Sequence, residues 1–214
     1  MYMEVFTTKK RILRSSITAF VVAFFIVFMY GTLSEETVSE EDVLLSEEVV
    51  FEVDQDNTYV VAENTDGWTL LRSEKNGFEI LFPAEPEYQF SVFETEGVEF
   101  LMNMHIYKAK TDRGVFIVAM SDFPFAPNTE ELQAIADMLT TYDASSELFD
   151  KDIVEFQDRE SVQFKTIDPD HKGKRLLFAD GNRLFFLSAL KEGRWVSDEV
   201  FNTFIQSFHA YNVE

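Results

Sequence analysis

Arg175-Leu-Leu-Phe-Ala-Asp-Gly-Asn-Arg-Leu-Phe-Phe-Leu-Ser-Ala-Leu190 is the stretch that decides the fold. Asp180-Gly181-Asn182 supplies residues that tolerate the left-handed backbone of a tight hairpin, so the two flanking runs pair as antiparallel strands. Leu184–Leu190 is apolar at odd and even positions alike, so both of its faces need cover. Val115-Phe-Ile-Val-Ala-Met120 has the same character and predicts a second strand inside the sheet. With two separated helices, these features give an α+β class: a mainly antiparallel sheet with helices on both faces, an α/β/α sandwich.

Working outward, the first helix is predicted after Asn128, with Glu131 completing a capping box. Leu132, Ile135, Ala136 and Leu139 form its apolar face. The last helix starts at Ser197 and carries Phe201, Phe204, Ile205 and Phe208 on one stripe. Further strands are expected at Phe78–Phe82, around Tyr88, Phe90 and Val92, at Ile153–Phe156 and at Ser161–Ile167, with a long strand over Val98–Ala109. His209–Val213 is a candidate last edge strand.

Ahead of this domain lies Ser15–Ser34, which contains no charged residue and no His. Twenty residues of helix span about 30 Å, the thickness of a bilayer's hydrocarbon core. Lys9, Lys10, Arg11 and Arg14 precede it, and Glu35, Glu36, Glu40, Glu41 and Asp42 follow. That asymmetry predicts a single-pass span with residues 1–14 as a basic cytoplasmic tail and the rest extracytoplasmic. The exit Met29-Tyr-Gly-Thr-Leu-Ser34 matches a cleavage site poorly, so the segment reads as a retained signal anchor rather than a cleaved signal.

Residues 35–66 hold twelve acidic side chains and no basic one, which suits an extended linker. Val49-Phe51-Val53 and Thr58–Val61 are strand-prone patches inside it, either of which can join the domain. The domain itself is expected over residues 67–214.

With 46% hydrophobic residues and 23 Phe, the chain has the material for a core, which argues against wholesale disorder. Its net charge of -21 repels nucleic acid and anionic headgroups; it suits cations or a basic partner, although acidity by itself ordinarily serves only solubility. The absence of Cys excludes disulfides, thiolate metal sites and thiol catalysis.

No catalytic pattern emerges from the remaining residues. His105, His171 and His209 are far apart and lack ligand spacing. Asp54-Gln-Asp-Asn57 begins like a calcium loop but has Tyr59 where glycine belongs and Thr65 where the closing glutamate belongs. No metal and no cofactor is therefore expected. Trp68, Phe123 and Phe125 lie in predicted loops and are the candidate aromatics of a binding surface.

Three stretches resemble the PsbP-like family over residues 67–214. Trp68 with Gly77-Phe-Glu-Ile-Leu-Phe-Pro83 and Pro86 looks like its opening strand. Lys174–Leu187 looks like its late hairpin, and Phe201-Asn-Thr-Phe-Ile-Gln-Ser-Phe208 like its closing helix and strand. The resemblance implies an α/β/α sandwich and a non-enzymatic binding or assembly module. It carries no functional residue set, and the membrane anchor departs from the family's soluble lumenal members. The expected function is therefore a membrane-anchored, extracytoplasmic, non-catalytic domain that binds another envelope protein or assists envelope assembly. The alternatives are a hydrolase with a site of scattered Asp, Glu and His, and a small-ligand sensor.

Overall fold

A computed structural model describes residues 59–63, 67–94, 101–123, 125–141 and 147–211. The predicted membrane span, its flank Lys9, Lys10, Arg11 and Arg14, and the patch Val49–Val53 lie outside the described residues. Among the described residues no helix is long and apolar enough to cross a membrane.

The strands are β1 (Tyr59–Glu63), β2 (Thr69–Ser73), β3 (Phe78–Phe82), β4 (Glu87–Glu94), β5 (Leu101–Thr111) and β6 (Gly114–Asp122), then β7 (Glu147–Phe156), β8 (Arg159–Ile167), β9 (His171–Asp180), β10 (Arg183–Glu192) and β11 (His209–Ala210). Helix α1 (Thr129–Thr141) falls between β6 and β7, and α2 (Asp198–Gln206) between β10 and β11. A seven-stranded sheet has the order β4-β5-β6-β10-β9-β8-β7, and a four-stranded sheet the order β1-β2-β3-β11. Both are antiparallel throughout. The predicted hairpin is β9–β10, in register from Arg183 opposite Asp180 to Glu192 opposite His171. Since β10 also pairs with β6, the two apolar strands are neighbours at the middle of the sheet.

Alternation along β6 divides the core in two. Ile117 and Ala119 face a cluster completed by Leu132, Ile135, Ala136 and Leu139 of α1. Phe116, Val118 and Met120 face the other way, toward Phe78, Ile80 and Phe82 of β3 and Phe201, Phe204 and Ile205 of α2. Each helix therefore covers one face, and each starts as its sequence dictates. Glu131 N donates to Asn128 Oδ1 at 3.0 Å while Asn128 N donates to Glu131 Oε2 at 2.8 Å, a reciprocal capping box. Ser197 caps α2 by accepting from Val200 N at 3.3 Å.

The mainly antiparallel sheet with two helices is as the sequence predicts, but a simple α/β/α sandwich is not what forms. The molecule is β-rich, and the layer carrying α2 is built largely from the second sheet. The reason lies in β3. Phe78, Ile80 and Phe82 are buried while Glu79 and Leu81 are only partly so. Such a strand gives one face to the core and bonds sideways to β2 and β11, forming a cover rather than a central member.

The stretch assigned to the linker also contributes. Tyr59–Glu63 pairs with β2 from Tyr59 opposite Ser73 to Glu63 opposite Thr69. The described part of the strand-prone patch Thr58–Val61, from Tyr59 on, thus joins the small sheet, ahead of Gly67.

Candidate functional site

The three aromatics expected at a binding surface do not form one. Trp68 is 8% exposed and belongs to the cluster beneath the small sheet, with its ring edge-on to Phe116 at 6.4 Å. The Arg113 guanidinium lies 5.6 Å over that ring. Phe123 is 2% exposed and belongs to the opposite cluster, where Phe125 meets it edge-on at 5.9 Å. The loop that carries Phe123 is tied down by the hairpin turn. Phe123 N donates to Asn182 O at 2.7 Å, and Asn182 Nδ2 donates to Phe123 O at 3.2 Å. A loop position predicts exposure only while nothing folds over it.

The histidines are likewise scattered. His105 is buried, its Nδ1 2.8 Å from the Tyr88 hydroxyl and its ring 4.8 Å from Phe90. His171 Nδ1 stands 3.5 Å from Asp168 Oδ1, and His209 is exposed on β11. Among the described residues no three His, Asp or Glu side chains gather where a metal could be held.

A polar cleft of about 670 Å³ opens at the hairpin end of the large sheet, lined by Lys75, Asn76, Asp122, Asp180, Asn182 and Arg183 among others. Much of its polar lining already serves the fold. Arg183 Nη1 donates to the carbonyls of Asn76 at 3.2 Å, Gly77 at 3.4 Å and Tyr211 at 3.4 Å, so it fastens the small sheet to the hairpin. Its Nη2 pairs with Asp180, which also accepts from Arg159 Nε at 3.2 Å and Nη2 at 2.9 Å. Asn76 Nδ2 reaches the Tyr107 hydroxyl at 2.8 Å, and that hydroxyl donates to Ser73 Oγ at 2.9 Å.

Asp180 shows how this cluster responds to pH. Partial burial pushes its carboxyl upward, but hydrogen bonds and charge from Arg159, and then from Arg183, hold it below the usual 3.8. A depressed folded-state value means that stabilisation is present above the unfolded value and fades as pH falls through the folded one. The stability difference between the wild type and Asp180→Asn is therefore expected to be largest at neutral pH and to shrink below pH 3.8, read from urea midpoints across that range. A gap that stayed constant down to the lowest pH would remove the ionic account.

The edge strand β7 pairs with β8 on one side and, among the described residues, leaves its other side and two large apolar side chains exposed. It ends the order of the large sheet, beyond β8. Among the described residues Phe149 and Ile153 are the exposed large hydrophobics, 50% and 53% accessible, and both sit on this strand. The register slips between Phe149 and Asp152, where Asp150 takes φ 47°. Phe149 lies opposite Lys165, whereas Ile153 lies opposite Val162 of the α1-side cluster. The bulge thus turns the two apolar side chains to opposite faces of one edge.

On the face of Phe149, Lys165 Nζ is 5.9 Å from that ring and 5.8 Å from Trp195, while pairing with Asp150 Oδ2 at 2.7 Å. On the face of Ile153, Glu155 stands directly opposite Glu160. The strand predicted from sequence covers only Ile153–Phe156 because Asp150-Lys-Asp152 interrupts the alternation at the bulge. The signal that extends it is Leu148-Phe149, an apolar pair with no core helix or turn to belong to.

No model of a known protein family matches this chain, and no curated protein matches it.

Proposed function

We propose that this chain is a membrane-anchored, extracytoplasmic, non-catalytic domain that binds another envelope protein through its β7 edge. The observation that carries the reading is the pair Phe149 and Ile153, half-exposed on the outermost strand of the large sheet among the described residues. β7 carries the charges and the bulge that ordinarily guard an edge against like strands, yet it also exposes two apolar groups, which suit a complementary partner. The location rests on the uncharged stretch Ser15–Ser34 with its basic entry and acidic exit.

Within this proposal the domain is PsbP-like. The placement of the three resembling stretches supports that reading: Phe78 of the opening strand meets Phe185 of the hairpin at 5.8 Å and Phe208 of the closing segment at 5.7 Å. A second reading, a small-ligand sensor, is favoured by the polar cleft beside Asp122, Asp180 and Arg183.

A reporter fused after Glu214 is expected to be active only on the outer side of the membrane, and cytoplasmic activity overturns the location. A photo-crosslinking residue at position 149 is expected to trap an envelope protein that one at exposed position 85 does not. Identical crosslinks from the two positions would remove β7 from the proposal.

A further inference from the structure

We infer that the partner meets β7 as an added strand, and that this strand is basic and apolar in alternation. The inference rests on the binding role proposed above and names the chemistry of the occupant. Backbone addition to a sheet edge supplies affinity through main-chain hydrogen bonds and specificity through the side chains flanking it.

Those side chains are acidic and apolar. β7 carries Glu147, Asp150, Asp152 and Glu155, all exposed, against Lys151 alone. Lys151 is already engaged with Asp137 of α1 at 2.5 Å, and Asp150 with Lys165. Glu155 faces Glu160, a like-charge cross-strand pair that costs stability where it stands. Glu160 is partly compensated, since it accepts from the Thr129 hydroxyl at the start of α1, where the helix dipole favours an anion. Glu155 meets no cation among the described residues.

An incoming strand with Lys or Arg beside Glu155 would relieve that repulsion. The alternate apolar residues of that strand then fall on its other face, beside Phe149, and cover that exposed ring. A second copy of this chain fits poorly. With net charge -21, two copies repel, and β7 laid against β7 sets acid against acid. A foreign basic segment is instead steered in by the same field, with a salt dependence to match.

The test is hydrogen–deuterium exchange on the full chain in detergent micelles, with acetyl-(Lys-Val)₄-amide as the probe. Exchange of the β7 amides at 147–156 is expected to slow at least about fivefold at saturating peptide, while the β4 edge is unaffected. Acetyl-(Glu-Val)₄-amide should give no protection, and 0.5 M salt should weaken that given by the basic peptide.

Glu155→Lys removes the anion and relieves its clash with Glu160, so the variant folds, and it should lose most of the protection. Phe149→Ser should lose it in part. Absence of protection at β7, equal protection at β4, or an unchanged effect in Glu155→Lys overturns the inference. Loss of the β7 effect with outer-side reporter activity intact removes this docking mode and leaves the anchored location standing. Cytoplasmic reporter activity removes that location and leaves the peptide result standing.

Discussion

Phe204→Ala is expected to destabilise the domain by about 3–5 kcal/mol, a large share of the about 5–15 kcal/mol usual for a domain. The ring has no solvent exposure and touches both sheets. It meets Phe82 of β3 edge-on at 5.5 Å and Phe116 of β6 edge-on at 5.3 Å. Its loss therefore opens a cavity where the small sheet, the large sheet and α2 join, and none of the three can collapse into it without moving the others.

Gln206 lies on the same helix but is exposed, so Gln206→Ala should change stability by no more than about 0.5 kcal/mol. Urea unfolding of both variants decides the matter. Equal midpoints would mean that α2 does not hold the layers together.

Gly114→Ala is expected to cost about 3 kcal/mol or more, because backbone strain and a backbone clash coincide. The residue adopts φ 144°, and a Cβ there would stand 2.4 Å from the Leu190 carbonyl oxygen and 3.1 Å from Val196 Cγ2. The oxygen belongs to the central strand β10, which cannot retreat without disturbing its pairing with β9. Gly181, in the β9–β10 turn, provides the comparison. It has φ 65°, and a Cβ there would meet nothing within 4 Å, so Gly181→Ala carries only the left-handed backbone cost of about 1–2 kcal/mol. Thermal midpoints should rank wild type above Gly181→Ala and Gly181→Ala above Gly114→Ala. A reversed order would show that β10 yields at that point.

Several elements were legible in the sequence because their signals are local. Asp180-Gly-Asn182 specifies a hairpin whatever surrounds it, and β9–β10 forms there. Asn128 with Glu131, and Ser197 alone, start helices through contacts within one turn. Phe201, Phe204 and Ile205 are buried because helical spacing puts them on one side, whereas the predicted fourth member, Phe208, lies past the helix end at Gln206 and is buried by the connection to β11. Composition alone also sets the strongly acidic balance.

What only the tertiary structure decided is which surface each element meets. Phe78–Phe82 alternates like any one-sided strand, and its sequence does not say whether it enters the large sheet or roofs it. That choice depends on β2 and β11, the latter more than a hundred residues away. Trp68 and Phe123 sit in connections, where local signals predict exposure, yet Phe116 and the Asn182 turn close over them. Phe149 and Ile153 look like ordinary strand residues and are left outside because β7 is the last strand and its bulge turns them to opposite faces. Periodicity fixes the direction in which a side chain points along its own backbone. Burial is fixed by what arrives from elsewhere in the chain, and that is a property of the assembled layers.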